Sequence, residues 1–147
     1  MSDKNIAIEI IKPFGPSIVR AQIPEHLIKK INEYVDDIVE DKEKSKELSH
    51  GHRLAGNVTQ EFKLEPEFMK EINWGGFIGN IVAQWLLEES NKKITQFQIT
   101  SSWIVRQFEN EHNPIHWHGG HISGVGYLKV PDSFGETIQS KKVNSNG

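Results

Sequence analysis

The chain contains no cysteine, which removes disulfides, iron–sulfur clusters, thiolate zinc sites and cysteine nucleophiles in one step. Any chemistry must come from histidine, carboxylates, hydroxyls or a bound cofactor. There is no excess of positive charge either: 17 Lys and Arg stand against 20 Asp and Glu, a formal net charge of -3. Nucleic-acid binders usually carry a basic face, so we expect no nucleic acid as partner. No apolar run approaches the length needed to cross a bilayer, and the start Met1-Ser-Asp-Lys-Asn5 is not a basic-then-apolar signal. The expectation is a soluble, cytoplasmic protein without a membrane partner. The balance of 36% hydrophobic and 25% charged residues over 147 positions fits one ordinary domain covering 1–147.

What is present divides by period. Ile6–Ile11 and Ser17–Ile23 are short β-branched runs, and the breaker Lys12-Pro-Phe-Gly-Pro16 between them predicts two strands. From Pro24, the residues Leu27, Ile28, Ile31, Val35, Ile38 and Val39 recur at steps of three and four, which predicts an amphipathic helix to about residue 40. Asp41–Leu48 is mixed charge, read as a solvated helix end or loop. Residues 51–64 read as a glycine-containing loop followed by a strand. Glu67–Ser90 carries a helical stripe interrupted at Gly75-Gly76, hence one or two helices. From Ile94 the period becomes two. Phe97, Ile99, Ser101, Trp103 and Val105 share one face of a long expected strand, with Trp103 and Val105 in the core. Ile115–Val130 reads as a second extended region with Val125 buried, Pro131–Gly135 as a turn, and the remainder as a polar tail.

Four of the seven histidines, His112, His116, His118 and His121, fall within ten residues. In an extended chain His116 and His118 project to the same side, so their imidazoles can converge on one divalent transition metal. His112 and His121 do not share that register, and read as structural or supporting groups. Glu109, Glu111 and Asp132 are nearby carboxylates without motif spacing, each more simply a surface charge. His50 and His52 form another His-x-His, but beside Gly51 and Arg53 they read as a solvated loop. Ser123 lacks a nucleophile-elbow context, and the glycines form no phosphate-binding loop.

The run Ser102-Trp-Ile-Val-Arg-Gln-Phe-Glu-Asn-Glu-His-Asn-Pro-Ile-His-Trp-His-Gly-Gly-His-Ile-Ser-Gly-Val-Gly-Tyr-Leu-Lys-Val-Pro131 resembles a family of 2-oxoglutarate/Fe(II)-dependent oxygenases of marine bacteria and their phages. The shared features are a Trp strand, Asn-Pro-x-His-x-His, and Ser-Gly-Val-x-Tyr-Leu-x-Val-Pro. The resemblance covers about residues 100–131. It implies an α+β fold with N-terminal amphipathic helices packed on a double-stranded β-helix, or jelly roll, and Fe(II) at the barrel mouth. His116 takes the first ligand position, and His118 stands where the wider superfamily usually has a carboxylate. With 2-oxoglutarate as cosubstrate, the implied activity is a dioxygenase that hydroxylates a small-molecule or protein substrate. Trp103 and Tyr127 would line the cofactor pocket, Tyr127 offering its hydroxyl to 2-oxoglutarate.

The family's distal histidine and its cationic anchor for 2-oxoglutarate lie well C-terminal to this motif. No histidine follows His121, and Lys141 and Lys142 are the only basic residues after Pro131. The expectation is therefore a partial jelly roll lacking its C-terminal strands, without independent turnover, whose open sheet edge could pair with a second copy. Two rivals remain: a cupin-type metal protein, which wants a further Glu and His at spacings absent here, and a non-catalytic metal-binding or interaction protein.

Overall fold

The computed structural model describes residues 6–51 and 56–133. Strands β1 (Ile8–Ile11) and β2 (Ile18–Ala21) pair antiparallel with Ile8 opposite Ala21 and Ile11 opposite Ile18. Two prolines and Gly15 between them remove backbone donors and supply a positive φ of 151°, so the chain reverses there instead of extending the ladder. The expected hairpin is present.

Helix α1 (Glu25–Glu40) follows, with Pro24 at its N-cap and Leu27, Ile31, Val35 and Ile38 buried. Those four lie at steps of four, four and three, one face of a 3.6-residue period. Each such aliphatic side chain contributes about 1.5–3 kcal/mol on burial. The mixed-charge stretch is a separate helix, α2 (Lys42–Glu47), because the Asp41 side chain caps it by accepting from the backbone N–H groups of Glu43 and Lys44.

Helix α3 (Pro66–Glu71) and helix α4 (Trp74–Ser90) flank a break at Ile72–Asn73. The sequence places that break at Gly75-Gly76. Asn73 takes it instead by adopting the left-handed conformation at φ 54°, which asparagine tolerates, while both glycines are absorbed into the first turn of α4. Tyr34 stacks on Phe68 with ring centroids 3.8 Å apart and donates its hydroxyl to Glu65 Oε2 at 2.7 Å, locking α1 onto α3. Burial and the Glu65 carboxylate push the Tyr34 phenol well above its ordinary value. Trp85 Nε1 donates to Ser17 Oγ at 2.9 Å, and Lys12 pairs with Glu89 at 2.7 Å, so α4 carries the first hairpin.

The second ribbon carries the candidate site. Strand β3 (Gln60–Lys63) pairs antiparallel with β4 (Trp103–Arg106), Glu61 opposite Val105 and Phe62 opposite Ile104. On the other side of β3, Ser49 bridges Phe62, the His50 N–H donates to Glu61 O at 2.8 Å, and the Lys63 N–H to Leu48 O at 2.9 Å. Phe62 is buried in the core with Leu27, Ile31, Ile38, Leu48, Ile72 and Ile81, and Ile104 packs against that cluster.

The fold is thus α+β: four helices and two separate two-stranded sheets among the described residues. A jelly roll is not visible among them. Three expectations are corrected. The strand predicted from Ile94 is limited to Trp103–Arg106, because β3 supplies backbone partners for only four residues and period two alone makes no ladder. Its inward residue is Ile104, leaving Trp103 half-buried and Val105 37% exposed. The region 115–130 contains no strand, and Val125 is 79% exposed. No helix among the described residues is long and apolar enough to cross a membrane.

Candidate metal centre

Side chains alternate across a strand, so the β3–β4 ribbon has two faces. Phe62 and Ile104 share the face that meets the core. Glu61, Lys63, Trp103 and Val105 share the other. His50, opposite Glu61, joins this outer face, and its ring lies against Trp103 at 5.7 Å between centroids. The His118 ring meets the same indole at 5.5 Å.

The segment carrying His118 leaves β4 through a turn built on Glu111. One carboxylate oxygen of Glu111 accepts from Thr59 N–H at 3.0 Å and Thr59 Oγ1 at 2.6 Å, and the other from Phe108 N–H at 2.9 Å. The Thr59 hydroxyl, then the Phe108 N–H, hold the Glu111 carboxyl below its ordinary range. Asn57 and His112 bridge alongside, exchanging N–H···O bonds of 2.9 and 3.4 Å. Glu111 is therefore a bracket for the turn, with both oxygens engaged, and His112 acts through its backbone. Gly56 fits here because any Cβ would strike the Asn113 carboxamide.

Beyond that bracket His116 and His118 meet. Their Nε2 atoms are 3.0 Å apart and the rings stand at 84° to each other. His116 Nδ1 lies 2.7 Å from Pro114 O. A carbonyl only accepts, so Nδ1 donates to it, and the Nε2 atoms of the two rings share the remaining hydrogen bond. This is the usual arrangement of a metal-ligating histidine, whose far ring nitrogen is fixed by a backbone carbonyl. The 3.0 Å separation is that of a hydrogen bond between the two rings, and it brings both Nε2 atoms within reach of a single ion.

Comparison of the chain with family models, curated proteins and solved structures found no match.

Both histidines are exposed, and among the described residues no third His, Asp or Glu joins them in a ready ligand group. His121, Glu109 and Asp132 are exposed surface residues. Trp103 is at the pair, whereas Tyr127 stands 74% exposed and takes no part in its ring or hydrogen-bond contacts. His52 lies outside the described residues, as do Glu136, Lys141 and Lys142.

One outer-face residue, Glu61, escaped the sequence reading, and another, His50, read as part of a solvated loop, is corrected. His50 is half-buried and paired to β3. Glu61 is only 3% exposed, and neither carboxylate oxygen has a hydrogen-bond partner among the described residues. Burial, then the charge of Glu111, raises its carboxyl above the ordinary 4.5. Nothing in Gln60-Glu-Phe-Lys63 announces a buried acid. The only hint is phase: Val58, Phe62 and Leu64 are even-numbered, so Glu61 must face away from them.

Proposed function

We propose that this chain is a 2-oxoglutarate/Fe(II)-dependent dioxygenase-type domain, in which His116 and His118 hold a divalent metal for hydroxylation of an organic substrate. The observation that supports it is the 3.0 Å approach of the two Nε2 atoms with His116 oriented by Pro114 O. The motif around the pair, Asn113-Pro-Ile-His-Trp-His118, is the part that resembles the oxygenase family. Bound Fe(II) with 2-oxoglutarate would supply the redox chemistry. The chain's own residues do the positioning. Pro114 O fixes the His116 tautomer, the Trp103 indole walls the pair on one side, and Tyr127 would offer its hydroxyl to the cosubstrate once the 119–128 segment lies over the site. In this reading the β3–β4 ribbon is part of a jelly roll completed by further strands, from the same chain or a second copy. The setting is cytoplasmic and the substrate a small molecule or a protein.

A second reading has its own support. Ile115 and Trp117, the latter 87% exposed, flank the histidines with apolar surface open to solvent, as a non-catalytic binding module would present. The test is titration of apo protein with Fe(II) or Co(II) under argon, comparing parent with His116→Ala/His118→Ala, alongside succinate release from 2-oxoglutarate. Equal metal binding by the two proteins refutes the centre. Metal binding that 2-oxoglutarate neither tightens nor alters spectroscopically favours the module.

A further inference from the structure

Bonded and non-bonded positions alternate along an antiparallel pair, so the residues of β4 that bond β3 can be told from those that do not. The Leu64 N–H donates to Ser102 O at 3.0 Å, which makes Ser102, Ile104 and Arg106 the bonded partners of Leu64, Phe62 and Gln60. The N–H and C=O groups of Trp103 and Val105 therefore point away from β3, and nothing among the described residues meets them. The other edge of the ribbon is occupied: Ser49 bridges Phe62, the Glu61 carbonyl accepts from His50, and the Lys63 N–H donates to Leu48. Edge strands are usually guarded by a lysine, a proline or a bulge. Trp103-Ile-Val-Arg106 has none of these in its regular register, and Val105 and the nearby Phe108 are exposed.

We propose that β4 pairs with β4 of a second copy about a two-fold axis through Ile104, joining the two ribbons into one four-stranded sheet in the order β3–β4–β4–β3. The free groups set the register. A two-fold perpendicular to the sheet keeps both core faces on one side, so odd positions oppose odd positions and even oppose even. Only centring on Ile104 pairs Trp103 of each copy with Val105 of the other, so that the unused groups of both strands are all satisfied, by four N–H···O bonds. The side chains agree with that register. It sets an indole beside a valine twice, a favourable aromatic–β-branched pair, and Ile104 beside its own copy. It places Arg106 across from Ser102 and holds the two Arg106 residues about 14 Å apart along the strands, so no like charges meet. The strand is thus complementary to itself, and because the contact consumes the open edge of both copies, assembly closes at two. The seam passes beside the histidine pair, since the Trp103 indole that His118 contacts at 5.5 Å gains Val105 of the second copy as its neighbour. The inference goes beyond the metal reading and does not depend on it.

The test is the mass of the full chain in metal-free solution by sedimentation equilibrium, parent against Val105→Pro. Because the Val105 N–H faces the open edge, proline there removes a donor that β3 does not use, a position at which edge strands tolerate it. The parent should sediment at twice the mass of one chain, and Val105→Pro at the mass of one chain with a parent-like far-UV circular dichroism spectrum. Should proline loosen β4 itself, Val105→Lys sets a charge on the seam and gives the same reading in a folded protein. Register is read by cross-linking, which the absence of native cysteine makes clean. Trp103→Cys and Val105→Cys proteins, mixed and oxidised, should link to each other, since a bonded pair stands about 5.5 Å apart between Cα atoms. A monomeric parent overturns the proposal, as does a folded Val105→Pro or Val105→Lys protein that still dimerises. Val105→Cys linking to itself in place of the mixed pair overturns the register. No metal is present in either measurement, so a failure of the histidine centre leaves these results as they stand.

Discussion

Truncating the ribbon one face at a time asks whether its two sides are as different as their contacts make them. Phe62 is buried in the core, so Phe62→Ala removes a ring from a packed site and should cost about 3–5 kcal/mol. Ile104, opposite it and only part-buried, should lose about 2 kcal/mol on truncation to alanine, the low end for a buried aliphatic. Val105 is adjacent in sequence but faces outward at 37% exposure, and Val105→Ala should cost below about 1 kcal/mol. With a urea dependence of about 2 kcal/mol/M, these losses become midpoint shifts of about 2, 1 and under 0.5 M. Urea unfolding followed by far-UV circular dichroism reads all three on one scale. The order Phe62, Ile104, Val105 is the expected result. A Val105→Ala midpoint as low as that of Phe62→Ala would reverse the faces and place the histidine row inside the core.

The Glu61 and Glu111 carboxyls titrate in opposite senses. The Glu111 carboxyl is lowered from 4.5, so its contribution is present above that pH and is lost as pH falls through the folded value. That of Glu61 is raised from 4.5, so stability is lost as pH rises from there through the folded value. Glu111→Gln should therefore flatten the acid limb of a stability–pH curve, and Glu61→Gln the limb just above it; an acid limb unchanged in Glu111→Gln would refute the Thr59 bracket. Gly56→Ala drives a Cβ into Asn113, so it should loosen the Asn57–His112 bridge and speed amide exchange at both residues, with parent-like exchange counting against the close approach.

How much of this was legible varies with the kind of signal. The α1 face was readable because Leu27, Ile31, Val35 and Ile38 repeat a helical period and their burial follows from it. The first hairpin was readable from its prolines. The extent of β4 was not, since a strand ends where its partner ends and β3 is four residues long. The helix break moved from Gly75-Gly76 to Asn73 because a left-handed residue stops a helix, whereas glycine merely weakens one. The His116 and His118 rings do meet, but in a segment that is not the expected strand, so same-side spacing alone did not fix the contact. Glu61 and His50 were not legible, because they reach the outer face through pairing between segments far apart in sequence.

The alternation in the ribbon gives its numbering a parity. Even positions, Phe62 and Ile104, answer to packing; odd positions, Glu61 and Trp103, stand on the face that His50 shares. A substitution changes one role at a time, so the two can drift separately. A single-residue deletion inside β4, at Ile104 or Val105, cannot respect that division: it shifts the strand on one side of the cut by one position and exchanges the two sets there. Insertions and deletions in this ribbon are therefore tolerable only in pairs, a constraint on the gene's reading of length that no single side chain reveals.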